Sequence, residues 1–326
     1  MLKDRNASLV RPSDNIKRLL MRIIVHHPLA AKLQALLSAM LPHAEVVTSD
    51  EMPASRADYL AVFNPPKALL EAQDASLKGI INVAAGVDAL LNNPSLPPNV
   101  PITKLRDAGM ASLMLDYSLY ALLHFSRDFD RYAEQARERR WKLRFPQPRS
   151  QWPVGVLGLG AIGAQVAEGL ARHGYQVNGY SRSAKTLEGV TTFHGEEGLQ
   201  EVLQRSRTII NILPATPATS GILNRTTLSQ MPEGGVVINP GRGNAIMLDD
   251  LVELLDSGHL RGAALDVFPH EPLPPESPLW QHPQILITPH SAAPTMMEDA
   301  AAQIADYIER WENGEAIPSV DRDAGY

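Results

Sequence analysis

Short apolar runs alternate with amphipathic stretches along most of the chain. The apolar runs predict strands at residues 22–26, 45–48, 59–63, 79–83, 154–157, 176–180, 208–213, 236–239, 263–267 and 285–288. Apolar positions at helical spacing predict a helix over residues 29–41 and helices that start near Ala161, Gly198, Leu248 and Thr295. Strands that alternate with helices indicate an α/β protein with parallel sheets and helical crossovers.

Two proline-rich segments interrupt this alternation. Residues 92–101 contain four prolines and three asparagines, which predicts a loop, and residues 145–153 contain three prolines, which predicts a linker. Between them, residues 111–140 predict one long helix with an apolar first half and a strongly charged second half. We interpret the charged half either as a helix that leaves the core for solvent or as an arm that docks on a second subunit.

The length and composition restrict the class of protein. A chain of 326 residues suits two domains better than one core, and its 44% hydrophobic and 20% charged residues are typical of globular proteins. The net charge of −6 gives no electrostatic reason to expect a nucleic-acid partner. The absence of cysteine excludes disulfides, thiolate metal sites and a cysteine nucleophile, and it fits the reducing cytoplasm.

The chain shows no signal for a membrane or a metal site. Residues 1–20 are charged throughout, so we predict a flexible leader, with Met21 as a hypothetical translation start. No run reaches the roughly 18 apolar residues of a membrane-spanning helix. The histidines lack ligand spacing, since His26 and His27 are adjacent while His282 and His290 lie on different loops. We therefore expect neither membrane insertion nor a metal ion.

A glycine-rich turn follows the strand predicted at residues 154–157. Gly158, Gly160 and Gly163 have the spacing of a dinucleotide fingerprint, and an apolar-faced helix follows them. Gly158 permits the tight turn, Gly160 lets the backbone approach a pyrophosphate, and Gly163 allows close packing of helix on strand. The context predicts a dinucleotide site with the pyrophosphate at the positive end of the helix dipole, and Ile162 belongs to the same turn.

The end of the next strand bears on the choice of cofactor. An NAD-binding site would carry an acidic residue there to accept hydrogen bonds from the ribose hydroxyls. This chain instead has Ser181, Arg182 and Ser183, which suit a 2′-phosphate, although a solvated basic loop would look the same. We therefore predict NADPH in preference to NADH, with NADH as the alternative.

Three polar residues follow three successive strands of the second series. Arg242 lies between glycines, Glu271 lies in a proline-rich loop, and His290 directly follows the last predicted strand. In open α/β sheets, ligands bind outside the carboxyl ends of the strands. Alone, each residue also fits a purely structural role in a turn, loop or cap. Together they favour a catalytic set in which Arg242 binds an anion, Glu271 orients the imidazole and His290 transfers a proton.

These motifs together resemble those of the D-isomer-specific 2-hydroxyacid dehydrogenases, and within that family the glyoxylate/hydroxypyruvate reductase branch. The resemblance extends over residues 21–326 and includes Ala85-Gly86-Val87-Asp88, the turn at residues 158–163, Leu213-Pro214-Ala215-Thr216-Pro217, and the segments 239–243, 266–280 and 288–290. It implies two doubly wound parallel-sheet domains. The Rossmann cofactor domain would span residues 116–290, and a discontinuous flavodoxin-like substrate domain would combine residues 21–115 and 291–326.

The resemblance also implies an activity and assigns roles. The expected reaction is hydride transfer from NADPH to a small 2-oxo acid, such as glyoxylate or hydroxypyruvate, to give the D-2-hydroxy acid. His290 would be the acid/base with Glu271 as its partner, and Arg242 would hold the substrate carboxylate and polarise the carbonyl. Backbone amides of Gly86 and Val87 would complete the binding site for the substrate carboxylate, which we call the grip. The implied cofactor contacts are Leu213, Pro214 and Thr219 near the adenosine and Asp266 near the nicotinamide carboxamide. Family members are usually dimers joined through their cofactor domains, so we expect a homodimer, and the absence of cysteine predicts a cytoplasmic location.

Two positions depart from the reductase branch. Many of its members carry Trp-His where this chain has Phe63-Asn64, and an arginine where this chain has Met296. Both changes leave room for a less polar 2-oxo acid. Within the family, the alternatives are a D-lactate or a phosphoglycerate type of dehydrogenase. The absence of an acidic residue at position 181 disfavours both. A non-catalytic, corepressor-like sensor of NAD(P)H is the alternative from another functional class.

Overall fold

The computed structural model describes residues 21–53 and 55–325, so the predicted leader at residues 1–20 lies outside the described residues. The first sheet contains β1 (Met21–His26), β2 (Ala44–Thr48), β3 (Tyr59–Val62), β4 (Gly79–Asn82) and β5 (Ile102–Lys104). All its strands pair in parallel, in the order β2-β1-β3-β4-β5. This is the strand order of a flavodoxin-like sheet.

The second sheet contains β6 (Val154–Leu157), β7 (Val177–Ser181), β8 (Val190–His194), β9 (Thr208–Asn211), β10 (Gly235–Asn239), β11 (Leu260–Leu265) and β12 (Ile285–Ile287). Its order is β12-β11-β10-β9-β6-β7-β8, again with parallel pairing. β7 and β8 thus lie on one side of β6, and β9 to β12 lie on the other. This is the Rossmann arrangement with one added strand. The prediction of two parallel-sheet α/β units is confirmed.

The helices are α1 (Ala30–Met40), α2 (Lys67–Glu71), α3 (Asp88–Leu91), α4 (Met110–Ser126), α5 (Phe129–Arg137), α6 (Ala161–Arg172), α7 (Gly195–Arg205), α8 (Arg225–Leu228), α9 (Leu248–Asp256) and α10 (Met297–Glu312). The C-terminal α10 follows the second sheet in sequence but covers the first. Its Ile304 and Ile308 join Leu33 and Leu37 of α1 in one buried cluster. Within the described residues, no helix is long and apolar enough to cross a membrane.

The prediction of one helix over residues 111–140 is wrong, because the chain turns between α4 and α5. Asp128 adopts the left-handed conformation with φ 56°, and its carboxylate forms ion pairs with Arg144 at 2.8 Å and Arg261 at 2.9 Å. A left-handed residue ends a right-handed helix. The ion pairs that stabilise this break come from distant parts of the chain, so the local pattern shows only the helical propensity on either side of it.

Two strands were missed by the sequence prediction. β5 is only three residues long, and β8 lies at the sheet edge with most of its side chains at least partly exposed. β5 was therefore too short to be predicted as a strand, and β8 lacked the apolar–polar alternation of a half-buried strand. Several predicted strands also ended too late, because residues 212–213, 266–267 and 288 belong to the loops that follow β9, β11 and β12.

Candidate active site

The glycine turn between β6 and α6 has the geometry that its sequence predicts. Gly158 adopts φ 99°, and a Cβ there would lie 2.8 Å from the Ile212 carbonyl oxygen. A Cβ at Gly163 would overlap the Gly158 carbonyl oxygen. At Gly160, the N-cap of α6, a Cβ would meet nothing within 4 Å, so open space lies in front of the helix N-terminus. The turn therefore fits a dinucleotide pyrophosphate.

Gly160 and Gly163 are expected to respond differently to alanine. Gly163→Ala should lower the free energy of unfolding by about 2 kcal/mol, because its Cβ overlaps backbone and the helix must move. Gly160→Ala should keep wild-type stability but weaken nicotinamide-cofactor binding at least about tenfold, since its Cβ projects into the predicted pyrophosphate position. Urea unfolding and fluorescence titration measure the two effects. Wild-type stability of Gly163→Ala would contradict the packing argument.

The residues predicted to recognise a 2′-phosphate lie at the end of β7. The Ser181 side chain is buried, and its hydroxyl donates to the Ser183 carbonyl oxygen at 2.7 Å. This hydrogen bond shapes the turn and takes the hydroxyl proton that a phosphate contact would need. Arg182 and Ser183 are exposed. They are consequently the better placed of the three predicted residues for a phosphate.

The segment predicted to border the adenosine follows β9, which pairs directly with β6. The Ile212 amide donates to the Leu157 carbonyl oxygen at 2.8 Å, which brings this segment beside the glycine turn. Leu213 is buried, and the Thr219 hydroxyl donates to the Pro214 carbonyl oxygen at 2.6 Å. Leu213, Pro214 and Thr219 therefore form one closed loop at the same sheet edge as Gly158.

Arg242 follows β10 and reaches across to the first sheet. Its Nε donates to Asp88 Oδ1 at 3.2 Å, and its guanidinium lies so close to Gly86 that a Cβ there would overlap Nη2. The buried Asn239 fixes the turn by donating to the Arg242 carbonyl oxygen at 3.1 Å and accepting from the Gly241 amide at 3.3 Å. A guanidinium and the Gly86 loop thus meet between the two sheets.

The Gly86 loop carries two backbone amides beside this guanidinium. Asn82, buried at the end of β4, donates to the carbonyl oxygens of Ala84 at 3.0 Å and Gly86 at 2.7 Å. Within the described part of the chain, the Gly86 and Val87 amides donate no hydrogen bond. Two unpaired N–H groups beside an arginine are suited to bind a carboxylate.

Glu271 and His290 form a hydrogen-bonded pair on neighbouring loops. His290 Nδ1 lies 2.7 Å from Glu271 Oε2, while Glu271 Oε1 accepts from the Phe268 amide at 2.9 Å. A carboxylate partner assigns a proton to Nδ1, and 54% of the His290 side chain is exposed, which leaves Nε2 accessible. Gly243 packs directly on the Phe268 backbone, where a Cβ would overlap, so the Arg242 turn and the Glu271 loop are in contact.

Asp266 holds the loop that carries His290. Its carboxylate is 1% exposed and accepts from the Thr288 hydroxyl at 2.6 Å, the Ser291 amide at 2.8 Å and the Ala292 amide at 2.9 Å. Its carbonyl oxygen accepts from the His290 amide at 2.8 Å, and His290 adopts φ 53°. Both carboxylate oxygens are thus engaged by the loop. The contact of Asp266 with a nicotinamide carboxamide stays a prediction.

Asp266→Ala is expected to lower the free energy of unfolding by about 3 kcal/mol or more, because it leaves the buried amide of Ala292 and the part-buried donors of Thr288 and Ser291 without their acceptor. Urea unfolding measures the loss. The matched control is Asp306→Ala, which removes an exposed carboxylate 3.6 Å from Arg310 and should change stability by less than about 0.5 kcal/mol. Equal unfolding midpoints for both variants would refute this role of Asp266.

Three further polar residues border the site and were not singled out as functional from the sequence. Asp88 pairs with Arg242, and the Tyr117 hydroxyl lies 2.9 Å from Thr288 Oγ1. Burial lowers the pKa of Lys104, and the nearby charge of Arg242 lowers it further. Burial raises the pKa of Tyr117. The sequence signals for these residues were weak. Asp88 lies in the motif of residues 85–88, but the resemblance assigned it no role, and β5, which ends at Lys104, was not predicted.

Comparisons with known proteins identify the family of the chain. The family model for the NAD binding domain of D-isomer specific 2-hydroxyacid dehydrogenases matches residues 119–292. A D-isomer specific 2-hydroxyacid dehydrogenase from Xanthobacter autotrophicus Py2, solved with NADPH and MES, is 37% identical, with a TM-score of 0.88 over 94% of this chain and 99% of that chain.

Two other solved structures are similar over nearly the whole chain. An NADPH-dependent glyoxylate/hydroxypyruvate reductase from Sinorhizobium meliloti, with NADP and sulfate, is 32% identical, with a TM-score of 0.88 over 94% of this chain and 100% of that chain. A family protein from Klebsiella pneumoniae 342 is 38% identical, with a TM-score of 0.84 over 93% and 98% of the two chains. The chain therefore belongs to the D-isomer specific 2-hydroxyacid dehydrogenases, a family of NAD(P)-dependent oxidoreductases.

Proposed function

We propose that this protein reduces a small 2-oxo acid, such as glyoxylate or hydroxypyruvate, to the D-2-hydroxy acid with NADPH. The observation that carries the proposal is that Arg242 lies against the Gly86 loop while its own turn packs on the loop of Glu271, the partner of His290. Arg242 and the unpaired amides of Gly86 and Val87 form the grip, and His290 with Glu271 at 2.7 Å forms the donor. The similarity to the Sinorhizobium meliloti reductase supports the choice of substrates.

The proposed mechanism assigns one task to each side chain. Arg242 and the two amides bind the substrate carboxylate, which orients the adjacent carbonyl towards His290. Glu271 accepts from Nδ1 and stabilises positive charge on the imidazole. His290 then donates its Nε2 proton to the carbonyl oxygen, and a neutral imidazole remains. When bound, NADPH would supply the hydride that C2 of the substrate accepts. Asp266 keeps the His290 loop in place.

The steady-state rate of NADPH oxidation with a panel of 2-oxo acids tests the proposal. We expect rapid reduction of glyoxylate and hydroxypyruvate, and the glycerate formed from hydroxypyruvate should have the D configuration. A strong preference for pyruvate would instead favour a D-lactate type of dehydrogenase. No turnover with any acid, combined with intact NADPH binding, would refute the enzyme proposal and favour the corepressor-like alternative.

The preference for NADPH rests on the end of β7. No acidic residue occupies positions 181–185, Arg182 and Ser183 are exposed, and two similar proteins were solved with NADPH or NADP. A guanidinium binds a 2′-phosphate but adds little to a ribose hydroxyl. These observations support NADPH as the preferred cofactor and NADH as the weaker one.

Arg182→Ala is expected to weaken NADPH binding at least about tenfold and to change NADH binding much less, because only NADPH carries the 2′-phosphate. Fluorescence titration gives both dissociation constants. Arg205→Ala is the control, since Arg205 is an exposed arginine of the same sheet unit that pairs with Glu201 on α7. An equal loss of affinity for the two cofactors would argue against phosphate recognition by Arg182.

We further propose the discontinuous domain division, with residues 21–115 and 291–326 in the substrate domain and residues 116–290 in the cofactor domain. The packing of α10 on α1 supports it. A homodimer is proposed because Trp141, Leu143 and Phe145, just after α5, are 103%, 68% and 85% exposed. Sedimentation velocity tests the dimer. The proposed cytoplasmic location would be tested by cell fractionation.

A further inference from the structure

A cavity of about 370 Å³ lies at the carboxyl edge of the first sheet. Its lining includes His26 at the end of β1, the adjacent His27, Ser49 and Asp50 after β2, and Phe63 and Asn64 after β3. We refer to it as the β1–β3 cavity. The chain passes from β1 to β2 on one side and reaches β3 on the other, so this is the switch point of the sheet, where doubly wound folds bind ligands.

The β1–β3 cavity begins one strand away from the proposed carboxylate grip. Val62 lies opposite Asn82, and the Val83 amide donates to the Val62 carbonyl oxygen at 2.8 Å, so the chain after β3 runs beside the start of the Gly86 loop. Neighbouring strands are about 4.8 Å apart. A substrate whose carboxylate is bound at Gly86 and Arg242 therefore needs only a few further carbon atoms to reach Phe63 and Asn64.

The lining carries hydrogen-bonding groups from three separate loops. His27 Nδ1 accepts from the Leu29 amide at 2.9 Å, which assigns the ring proton to Nε2. Burial lowers the pKa of His27, so the ring is a neutral donor. His26 Nδ1 lies 2.7 Å from Ser49 Oγ, and the exposed Asn64 supplies an amide. The expectation of room for a less polar 2-oxo acid, drawn from Phe63-Asn64 and Met296, took no account of these groups and stays a prediction.

The charge of the lining restricts the occupant. Among the described residues that line the β1–β3 cavity, none is lysine or arginine, and Asp50 is acidic. A second carboxylate or a phosphate would lack a cationic partner there. Hydroxyl groups fit better, because each one donates to an acceptor such as Asp50 and accepts from a donor such as His27 Nε2.

We propose that the β1–β3 cavity binds the hydroxylated far end of a 2-oxo aldonic acid, a polyhydroxylated 2-oxo acid of five or six carbons. This inference rests on the proposed reduction of 2-oxo acids at Arg242 and His290. It assigns specificity to His27 and Asn64, which stand outside the proposed catalytic set. Glyoxylate would bind at the grip alone and leave the cavity to solvent.

Three substrates separate the contributions of grip and cavity. A six-carbon 2-oxo aldonic acid fills both, 2-oxohexanoate has the same chain length without hydroxyls, and glyoxylate reaches only the grip. In the wild type, kcat/KM for the hydroxylated acid should exceed that for 2-oxohexanoate at least about tenfold, because the polar groups of the lining can pair with hydroxyls but not with an alkyl chain. Calorimetry with the hydroxylated acid alone measures binding independently of turnover.

Two variants test the proposed residues. His27→Phe removes the donor at similar ring size, and Asn64→Gly removes the amide while accepting the φ of 47°. Each should lower kcat/KM and calorimetric affinity for the hydroxylated acid about tenfold and leave glyoxylate reduction unchanged. The control is His43→Phe, an exposed residue directly before β2 and so at the opposite edge of the parallel sheet.

The possible outcomes distinguish the two proposals. If glyoxylate is reduced but the hydroxylated acid is no better than 2-oxohexanoate, the cavity proposal is overturned and the proposed function stands. If no 2-oxo acid is reduced, the proposed function fails, and calorimetry with the hydroxylated acid then tests the cavity proposal separately. Binding that His27→Phe and Asn64→Gly weaken, but His43→Phe does not, supports the cavity. Binding that is absent or equal in all variants overturns it.

Discussion

His290→Gln should lower kcat about a thousandfold and leave the dissociation constant of NADPH nearly unchanged. His290 is the proposed donor of the carbonyl proton, and a glutamine amide has no comparable acidity. Its Nδ1 lies 2.7 Å from Glu271, while the backbone is fixed through Asp266, so the loss should fall on chemistry more than on folding. Steady-state kinetics with glyoxylate and fluorescence titration of NADPH give the two quantities.

A second variant and a control separate chemistry from backbone effects. His290 adopts φ 53°, a conformation that asparagine tolerates better than glutamine, so His290→Asn should show the same loss of kcat without added strain. His194→Gln changes an exposed histidine at the end of β8 and should leave kcat unchanged. A rate for both His290 variants within about threefold of wild type would remove His290 from the mechanism.

Arg242→Ala should lower kcat/KM for glyoxylate at least about a thousandfold, with KM raised and kcat lowered together. The guanidinium is the proposed partner of the substrate carboxylate in the ground state and the transition state alike. Charge-assisted hydrogen bonds to a planar guanidinium are each worth about 1.5–3 kcal/mol. The same substitution leaves Asp88 without its 3.2 Å partner, which adds repulsion to the incoming anion.

Arg242→Lys is the informative companion variant. Lysine keeps the charge but lacks the planar fork, so it should recover only part of the lost kcat/KM. Arg225→Ala, which removes an exposed arginine on α8 that pairs with Glu253, is the control and should leave kcat/KM at the wild-type value. Unchanged KM and kcat in Arg242→Ala would place the substrate carboxylate elsewhere.

Local pattern was enough for much of the fold. β6 and β10 are buried along their whole length, and such apolar runs are readable from sequence. The glycine turn after β6 was equally readable, because Gly158, Gly160 and Gly163 act within one short segment. The break between α4 and α5 was not, since it depends on Arg261, which is far from Asp128 in sequence. Tertiary ion pairs of this kind leave no local periodicity.

The residues of the candidate site were likewise predictable from local motifs and strand order, but not where their role depends on tertiary contacts. Arg242, Glu271 and His290 each stood after a strand, so topology alone predicted that they would share an edge. The partnership of Arg242 with Asp88 joins residues 154 positions apart and required the structure. The polar lining of the β1–β3 cavity combines loops after β1, β2 and β3, whereas the sequence-based expectation considered only residues 63–64 and Met296.

A crystal structure of the protein with NADPH and oxamate, a non-reducible analogue of a 2-oxo acid, is the decisive test of the proposed site. We expect the oxamate carboxylate to contact the Arg242 guanidinium and the amides of Gly86 and Val87. We also expect the amide oxygen of oxamate to lie within hydrogen-bonding distance of His290 Nε2. Oxamate bound through another cation, or with its amide oxygen directed away from His290, would contradict the roles proposed for Arg242 and His290.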